Sequence, residues 1–163
     1  YQTGEIIPDT LVSRIEASST FNQGFGTTEY IAASLLDLAW HTMTAEETTG
    51  IIDARAFEAE TLGDYGLIPQ IEPRYRSPYF AHIFSGGYSA GYYAYLWAET
   101  LDADAFTAFT ESGDVFDPEL AKRFKKYIFE AGGREEPEIL YRKFRGRDPD
   151  IQPLLKIRGL GDD

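Results

Sequence analysis

The chain has 163 residues, 43% of them hydrophobic, which is enough to form the core of one ordinary domain. It carries 15 basic and 27 acidic residues, a net charge of −12, which argues against a nucleic-acid-binding protein because such proteins need a basic surface. The sequence contains no cysteine, which excludes disulfides, thiolate zinc sites and cysteine nucleophiles.

Apolar spacing, proline and glycine divide the first half of the chain into predicted helices. The first helix opens at Pro8 and ends near Thr20. A loop is predicted at 21–26, and the strongest helix then begins at Thr27. One face of that helix carries Ile31, Leu35, Leu38 and Thr42, with Ala32, Ala33, Leu36 and Ala39 widening the apolar side. Asp53 is placed to cap a short helix that ends at Gly63, and 69–78 is predicted to be extended because it holds three prolines.

The second half begins with a tyrosine-rich segment that is uncharged from Pro78 to Ala98. Its length matches a membrane span, but its polar and glycine content argues against one, so no membrane partner is expected. We expect a cytoplasmic protein. The Gly86-Gly87 pair should end a short helix, and a longer helix is predicted from about Tyr88 to Phe109. Further helices are predicted within 117–132, 136–145 and 149–157.

No segment alternates between apolar and polar residues with turn dipeptides at its ends, so no sheet is predicted. The predicted fold class is all-α, an irregular multi-helix array that forms a single domain over 1–163.

The two histidines, His41 and His82, are not part of a His-Glu-x-x-His motif. Asp37 and His41 lie four residues apart on one helix face, where two metal ligands are geometrically possible. Without a third ligand we interpret them as a pair that hydrogen-bonds locally, and we predict no metal site in this chain.

Tyr88, Tyr92 and Tyr95 follow the i, i+4 and i+7 spacing of one helix face. A phenol can donate a hydrogen bond to developing negative charge without being charged itself, as an oxyanion site requires. A tyrosine-rich packing face would give the same spacing, and the pattern alone does not separate the two interpretations.

The sequence from Phe80 to Trp97, FAHIFSGGYSAGYYAYLW, resembles the C-terminal part of proteins of the thimet oligopeptidase family of zinc metallopeptidases. Tyr88 lies six positions after His82, which favours the bacterial dipeptidyl carboxypeptidase branch, since the spacing in the oligopeptidase branch is one shorter. The resemblance covers essentially the whole chain, with further agreements at 21–25, 35–37, 40–41, 73–77, 141–147 and 159–160.

The resemblance implies a largely helical, zincin-like catalytic domain that hydrolyses short peptides, with dipeptides removed from the C-terminus in the peptidyl-dipeptidase branch. Family members hold zinc through the two histidines of His-Glu-x-x-His and a downstream glutamate, residues that the resemblance places upstream of Tyr1. We therefore expect zinc in the parent enzyme, no zinc bound by this segment, and no activity from the segment alone.

The resemblance also implies roles for particular residues. His82 matches a histidine that contacts the substrate backbone, and Tyr88 and Tyr95 match tyrosines that hydrogen-bond the substrate and the tetrahedral intermediate. Tyr92 matches a nearby tyrosine of the same cleft.

Two further pairs are candidate substrate-binding residues. Gly86 and Gly87 match a glycine-rich loop that is thought to be mobile, in keeping with the permissive glycine backbone. Arg74 and Arg76 precede the tyrosine-rich segment and are candidates to bind the free carboxylate of a peptide, although ordinary surface or structural arginines would look the same.

Two other interpretations stay open: a stand-alone, non-catalytic helical protein that binds peptides or a partner, and a structural bundle whose tyrosines form the core. The expected partners are short peptides and the remainder of the catalytic domain. A surface that this remainder normally covers would make the chain self-associate.

Overall fold

A computed structural model describes residues 2–161 of the chain, and their regular secondary structure is helical throughout. Within this part, the α-helices are α1 (Asp9–Ser18), α2 (Gln23–His41), α3 (Ala54–Asp64), α4 (Ala81–Phe84), α5 (Ala94–Glu111), α6 (Pro118–Phe124), α7 (Pro137–Arg145) and α8 (Gln152–Ile157). A 3₁₀ turn covers Ser77–Tyr79, and a π-helical turn covers Lys125–Phe129. The predicted all-α class is confirmed.

The chain divides into two compact units between Tyr95 and Leu96. The prediction of a single domain over 1–163 stays a prediction. None of the helices in 2–161 combines the length and apolar character that crossing a membrane would need.

Most predicted helix ends are confirmed, because caps and prolines act within a few residues. The Asp53 carboxylate accepts hydrogen bonds from the backbone N–H groups of Arg55 (2.9 Å) and Ala56 (3.1 Å), which caps α3. Asp117 caps α6 in the same way. Gly146 ends α7 with a φ of +83°, a left-handed conformation that glycine adopts without steric cost.

The start and the buried face of α2 differ from the prediction. The helix begins at Gln23 rather than Thr27, after Asn22 in a left-handed conformation (φ +58°), so the predicted loop is largely helical. Ile31, predicted to face the core, is 38% exposed. The buried residues of α2 are Ala32, Ala33, Ser34, Leu36 and Asp37.

Within the described part of the first unit, two hydrophobic clusters share α2. One cluster joins α2 to α3 through Ala32, Leu36 and Leu62. The other joins α2 to the tyrosine-rich segment, and its buried members are Ala33, Phe80, Ile83 and Tyr92. Small alanine side chains let these neighbours approach α2 closely, so the position of the tyrosine-rich segment depends on this helix.

The second unit packs its helices around Phe144, which is completely buried, together with Ala105, Ala108 and Leu120. Beside this cluster lies Asp104, a completely buried carboxylate. It accepts a hydrogen bond from the Tyr141 hydroxyl (2.6 Å) and pairs with the guanidinium of Arg147.

Candidate functional site

The tyrosine-rich segment is not the continuous helix predicted from Tyr88. The helix α5 begins only at Ala94, so the prediction that Tyr88, Tyr92 and Tyr95 share one helix face is wrong. Gly87 (φ +81°) and Ala90 (φ +54°) adopt left-handed conformations, which interrupt a right-handed helix. Residues 88–93 therefore form a series of turns.

The same side chains nevertheless come together. The rings of Tyr88 and Tyr95 stack with centroids 5.2 Å apart and an interplanar angle of 21°. The Tyr92 ring lies 5.4 Å from that of Tyr95, and the His82 ring lies 6.0 Å from Tyr88 and 5.7 Å from Tyr92. We call these four residues the aromatic cluster. The structure thus brings together the histidine and the three tyrosines singled out by the sequence.

Members of the aromatic cluster differ in exposure. Tyr92 is 3% exposed and packs in the core, and its carbonyl accepts a hydrogen bond from the Tyr30 hydroxyl (2.5 Å). Tyr95 is 40% exposed, and Tyr88 and His82 are half-buried. A ligand at this surface can therefore reach Tyr88, Tyr95 and His82 but not the face of Tyr92 that fills the core.

The surroundings raise the pKa values of two phenols of the cluster, Tyr95 and Tyr92. A hydrogen bond with Tyr88, followed by partial burial, raises the pKa of Tyr95 to about 12. Burial, followed by the neighbouring Tyr75, raises the pKa of Tyr92, and the nearby Arg74 opposes that shift. Tyr95 consequently stays a neutral hydrogen-bond donor at physiological pH.

Asp37 holds the turn that carries the cluster. Its carboxylate is completely buried and accepts hydrogen bonds from the backbone N–H groups of Ala90 (2.9 Å) and Tyr92 (2.8 Å). His41 Nδ1 lies 2.8 Å from Asp37 Oδ1, so the predicted local pair is confirmed. The contact between Asp37 and the turn was not predicted from the sequence. Its only signal in the sequence is an acidic residue within the apolar run of α2.

The glycine pair lies in a loop that closes tightly onto His82. The Tyr88 N–H donates to the His82 carbonyl (3.1 Å). A Cβ atom on Gly86 would lie 2.9 Å from both the Cα and the carbonyl oxygen of His82, too close for any side chain. Gly86 is thus needed for close backbone approach, and the mobility expected of the loop stays a prediction.

The two candidate arginines have different environments. Arg76 pairs with the buried Glu58 and, at 3.0 Å, with Glu72, and the bond to Glu58 raises the pKa of Arg76. Arg74 is exposed, and its guanidinium carbon lies 5.9 Å from the ring centroid of Tyr75. Arg74 makes no ion pair with any residue in the described range. Binding of a substrate carboxylate by either arginine stays a prediction.

The described residues do not fit a zinc ion. Over 2–161, no three histidine, aspartate or glutamate side chains lie close enough together to hold a metal. Both carboxylate oxygens of Asp37 already accept backbone hydrogen bonds, so the Asp37–His41 pair is committed to the fold.

The profile of peptidase family M3 matches residues 1–160. The chain belongs to peptidase family M3. This M3 chain is 44% identical over 161 residues to a protein named dipeptidyl carboxypeptidase from Escherichia coli K12. It is 36% identical over 162 residues to oligopeptidase A from Haemophilus influenzae, and 37% identical over 166 residues to probable cytosolic oligopeptidase A from Arabidopsis thaliana.

Each of these alignments covers 98% of the M3 chain but only 23% of the relative. The chain therefore spans less than a quarter of the length of the curated relatives it matches. The family resemblance inferred from the tyrosine-rich segment is confirmed, and relatives of both names, dipeptidyl carboxypeptidase and oligopeptidase A, are similar to it.

Proposed function

We propose that the chain forms the substrate-binding wall of a zinc-dependent peptidase of the peptidyl-dipeptidase or oligopeptidase type, a hydrolase of short peptides. Membership of family M3 supports a peptidase as the whole protein. The zinc ligands would belong to a part of the protein outside this chain. Zinc, when bound there, would supply a Lewis acid and an activated water. On this proposal the chain by itself has no peptidase activity, which a peptide-cleavage assay with and without added zinc tests.

The observation that carries the proposal is the hydroxyl pair of Tyr88 and Tyr95. The two rings stack, the interaction with Tyr88 raises the pKa of Tyr95, and Tyr95 is 40% exposed. Because the raised pKa keeps Tyr95 protonated, its hydroxyl can donate to the oxygen of a peptide carbonyl as negative charge develops there. We assign both tyrosines this catalytic role.

Neighbouring residues would hold the peptide in place. His82 lies beside Tyr88 and would contact the substrate backbone. Tyr92 would support the other rings from the core, and the Gly86-Gly87 loop would border the bound peptide.

The free carboxylate of a peptide is better matched by Arg74 than by Arg76. The guanidinium of Arg76 is already paired with Glu58 and Glu72, whereas Arg74 is exposed beside the aromatic cluster. Charge-assisted hydrogen bonds to a carboxylate favour an arginine that is not already paired with another carboxylate.

The test uses Tyr88→Phe and Tyr95→Phe in the whole protein that carries this chain. Loss of one transition-state donor should lower kcat by about 10²- to 10³-fold, with a smaller change in KM. Zinc content should not change, because neither tyrosine is a proposed ligand.

Tyr93→Phe is the matched control. Tyr93 is 51% exposed and adjoins the cluster in sequence, yet it contributes no hydroxyl to the proposed site. Turnover should be unchanged in this variant. If Tyr88→Phe and Tyr95→Phe also leave kcat unchanged, the proposed role of the hydroxyl pair is wrong.

We also propose that the chain alone self-associates through exposed apolar side chains such as Ile51, Phe116 and Phe129, which are 103%, 86% and 72% exposed. A monomer by light scattering at high concentration would contradict this.

A cytoplasmic location is proposed from the relative named probable cytosolic oligopeptidase A, and cell fractionation tests it.

A further inference from the structure

The buried carboxylate of Asp37 is an unusual component of α2. A carboxylate removed from water is strongly destabilising unless hydrogen-bond donors replace the lost solvent. Two of its donors are the backbone N–H groups of Ala90 and Tyr92, which lie 53 and 55 residues further along the chain. The Asp37 carboxylate is therefore hydrogen-bonded to the backbone of the turn at 88–92 and not to side chains alone.

That turn needs a restraint from outside. Ala90 has a φ of +54°, a strained conformation that residues other than glycine rarely adopt. Within the turn, Gly91 N–H donates to the Tyr88 carbonyl (2.8 Å) and Ala94 N–H to the Gly91 carbonyl (3.0 Å). The bonds from Ala90 and Tyr92 to Asp37 attach this strained segment to α2.

The conformation of the turn sets the distance between the rings of Tyr88 and Tyr95. In a continuous helix, residues seven apart are separated by roughly 10 Å along the axis. In the observed turn the ring centroids of Tyr88 and Tyr95 are 5.2 Å apart and nearly parallel. The hydroxyl pair thus exists because the segment is not helical between these two tyrosines.

We propose that Asp37 is a positioning residue of the peptidase site, which holds the 88–92 turn so that Tyr88 and Tyr95 present a paired donor to the substrate. The inference rests on the proposed function of the two tyrosines. His41 assists by holding the carboxylate in place, since its Nδ1 lies 2.8 Å from Oδ1, the same oxygen that accepts the Ala90 N–H.

The test is Asp37→Asn in the whole protein, assayed with a short peptide. Asparagine keeps the size of the side chain but offers only one acceptor oxygen, so one of the two turn N–H groups loses its partner. Displacement of the tyrosines should lower kcat by about ten- to a hundredfold, with a smaller change in KM.

A double-mutant cycle separates positioning from general destabilisation. If Asp37 acts through the hydroxyls, Asp37→Asn should cause no further loss of kcat in a protein that already carries Tyr88→Phe and Tyr95→Phe. A merely structural role would instead lower kcat by the same factor in both backgrounds, and that result would overturn the proposal.

Asp104→Asn is the matched control. Asp104 is as completely buried as Asp37 but bonds Tyr141 and Arg147 in the other unit. This variant should lower the unfolding temperature without any coupling to the tyrosine substitutions.

The failures of the two proposals are distinguishable. If the tyrosine variants lower kcat and Asp37→Asn does not, only the positioning role is wrong. If the tyrosine variants themselves leave kcat unchanged, the proposed function is wrong.

Should Asp37→Asn not fold, Asp37→Glu keeps the charge and displaces the carboxylate by one methylene. It should give the same coupled loss of kcat, and full activity in that variant would overturn the proposal.

Discussion

Among residues 2–161, two aspartates are completely buried, one in each unit, and they are held in different ways. Asp37 bonds the backbone N–H groups of Ala90 and Tyr92 in an irregular turn. Asp104 instead bonds side chains: the hydroxyl of Tyr141 and the guanidinium of Arg147.

The difference indicates what each carboxylate determines. Backbone donors tie Asp37 to the path of the chain, so it fixes a conformation that local preferences disfavour. Side-chain donors tie Asp104 to the packing and charge balance around α7. The Nε of Arg145 lies 3.6 Å from Asp104 Oδ1 and has no hydrogen-bond partner in the part of the chain that the structure describes. Part of this second network therefore balances charge without good hydrogen-bond geometry.

The largest effect is expected for Asp104→Ala. It leaves the Tyr141 hydroxyl without its acceptor and removes one of the two carboxylates near the buried guanidinium of Arg145, which keeps its pair with Glu111 at 2.8 Å. We expect a loss of about 2–4 kcal/mol in the free energy of unfolding. Denaturant titration of the chain measures it. Asp104→Asn, which keeps one acceptor, should lose less. A loss below about 1 kcal/mol in Asp104→Ala would mean that the interactions of Asp104 contribute no more than an exposed ion pair does. The proposed difference from Asp37 would then be wrong.

A smaller effect is expected at Gly86, where the backbone of the first unit leaves no room for a side chain. The added Cβ of Gly86→Ala would press on the Cα and carbonyl oxygen of His82, so the loop must shift, with an expected loss of about 1–3 kcal/mol.

Gly24→Ala is the control for this substitution. Gly24 lies in α2, and a Cβ there meets no atom within 4 Å. Alanine at that position should stabilise the chain by up to about 1 kcal/mol, since it favours the helix. Opposite signs for the two variants in the same denaturant titration would support the close contact at His82. Equal signs would contradict it.

The smallest effect is a pH dependence from Tyr95. Its pKa is raised from 10 to about 12, mainly by the hydrogen bond with Tyr88, so the folded state holds the phenolic proton more tightly than the unfolded chain. The stability contributed by this hydroxyl should be complete below pH 10 and lost as the pH rises to about 12. The difference in unfolding free energy between the unsubstituted chain and Tyr95→Phe should follow that window.

Tyr88→Phe removes the other half of the same bond and should give the same profile. A difference that persists unchanged to the upper end of the window would show that the Tyr88–Tyr95 hydrogen bond is not its cause.

Much of the candidate site could be predicted from the sequence, but its geometry could not. His82, Tyr88, Tyr92 and Tyr95 were identified as one group, and the structure brings them together. The helical spacing from which the three tyrosines were first grouped is wrong, because Gly87 and Ala90 turn the chain out of the helix. The family resemblance did not depend on that spacing.

Local signals in the sequence determined the helical class and most of the helix ends. Caps such as Asp53 and Asp117, and a stop such as Gly146, act on backbone groups within a few residues, so they need no tertiary context. Only the tertiary structure decided which face of α2 is buried and how the turn at 88–92 runs. The buried face of α2 is set by its packing on α3 and on the tyrosine-rich segment. The turn depends on hydrogen bonds to Asp37, more than 50 residues away, and no periodicity within either segment encodes a hydrogen bond between them.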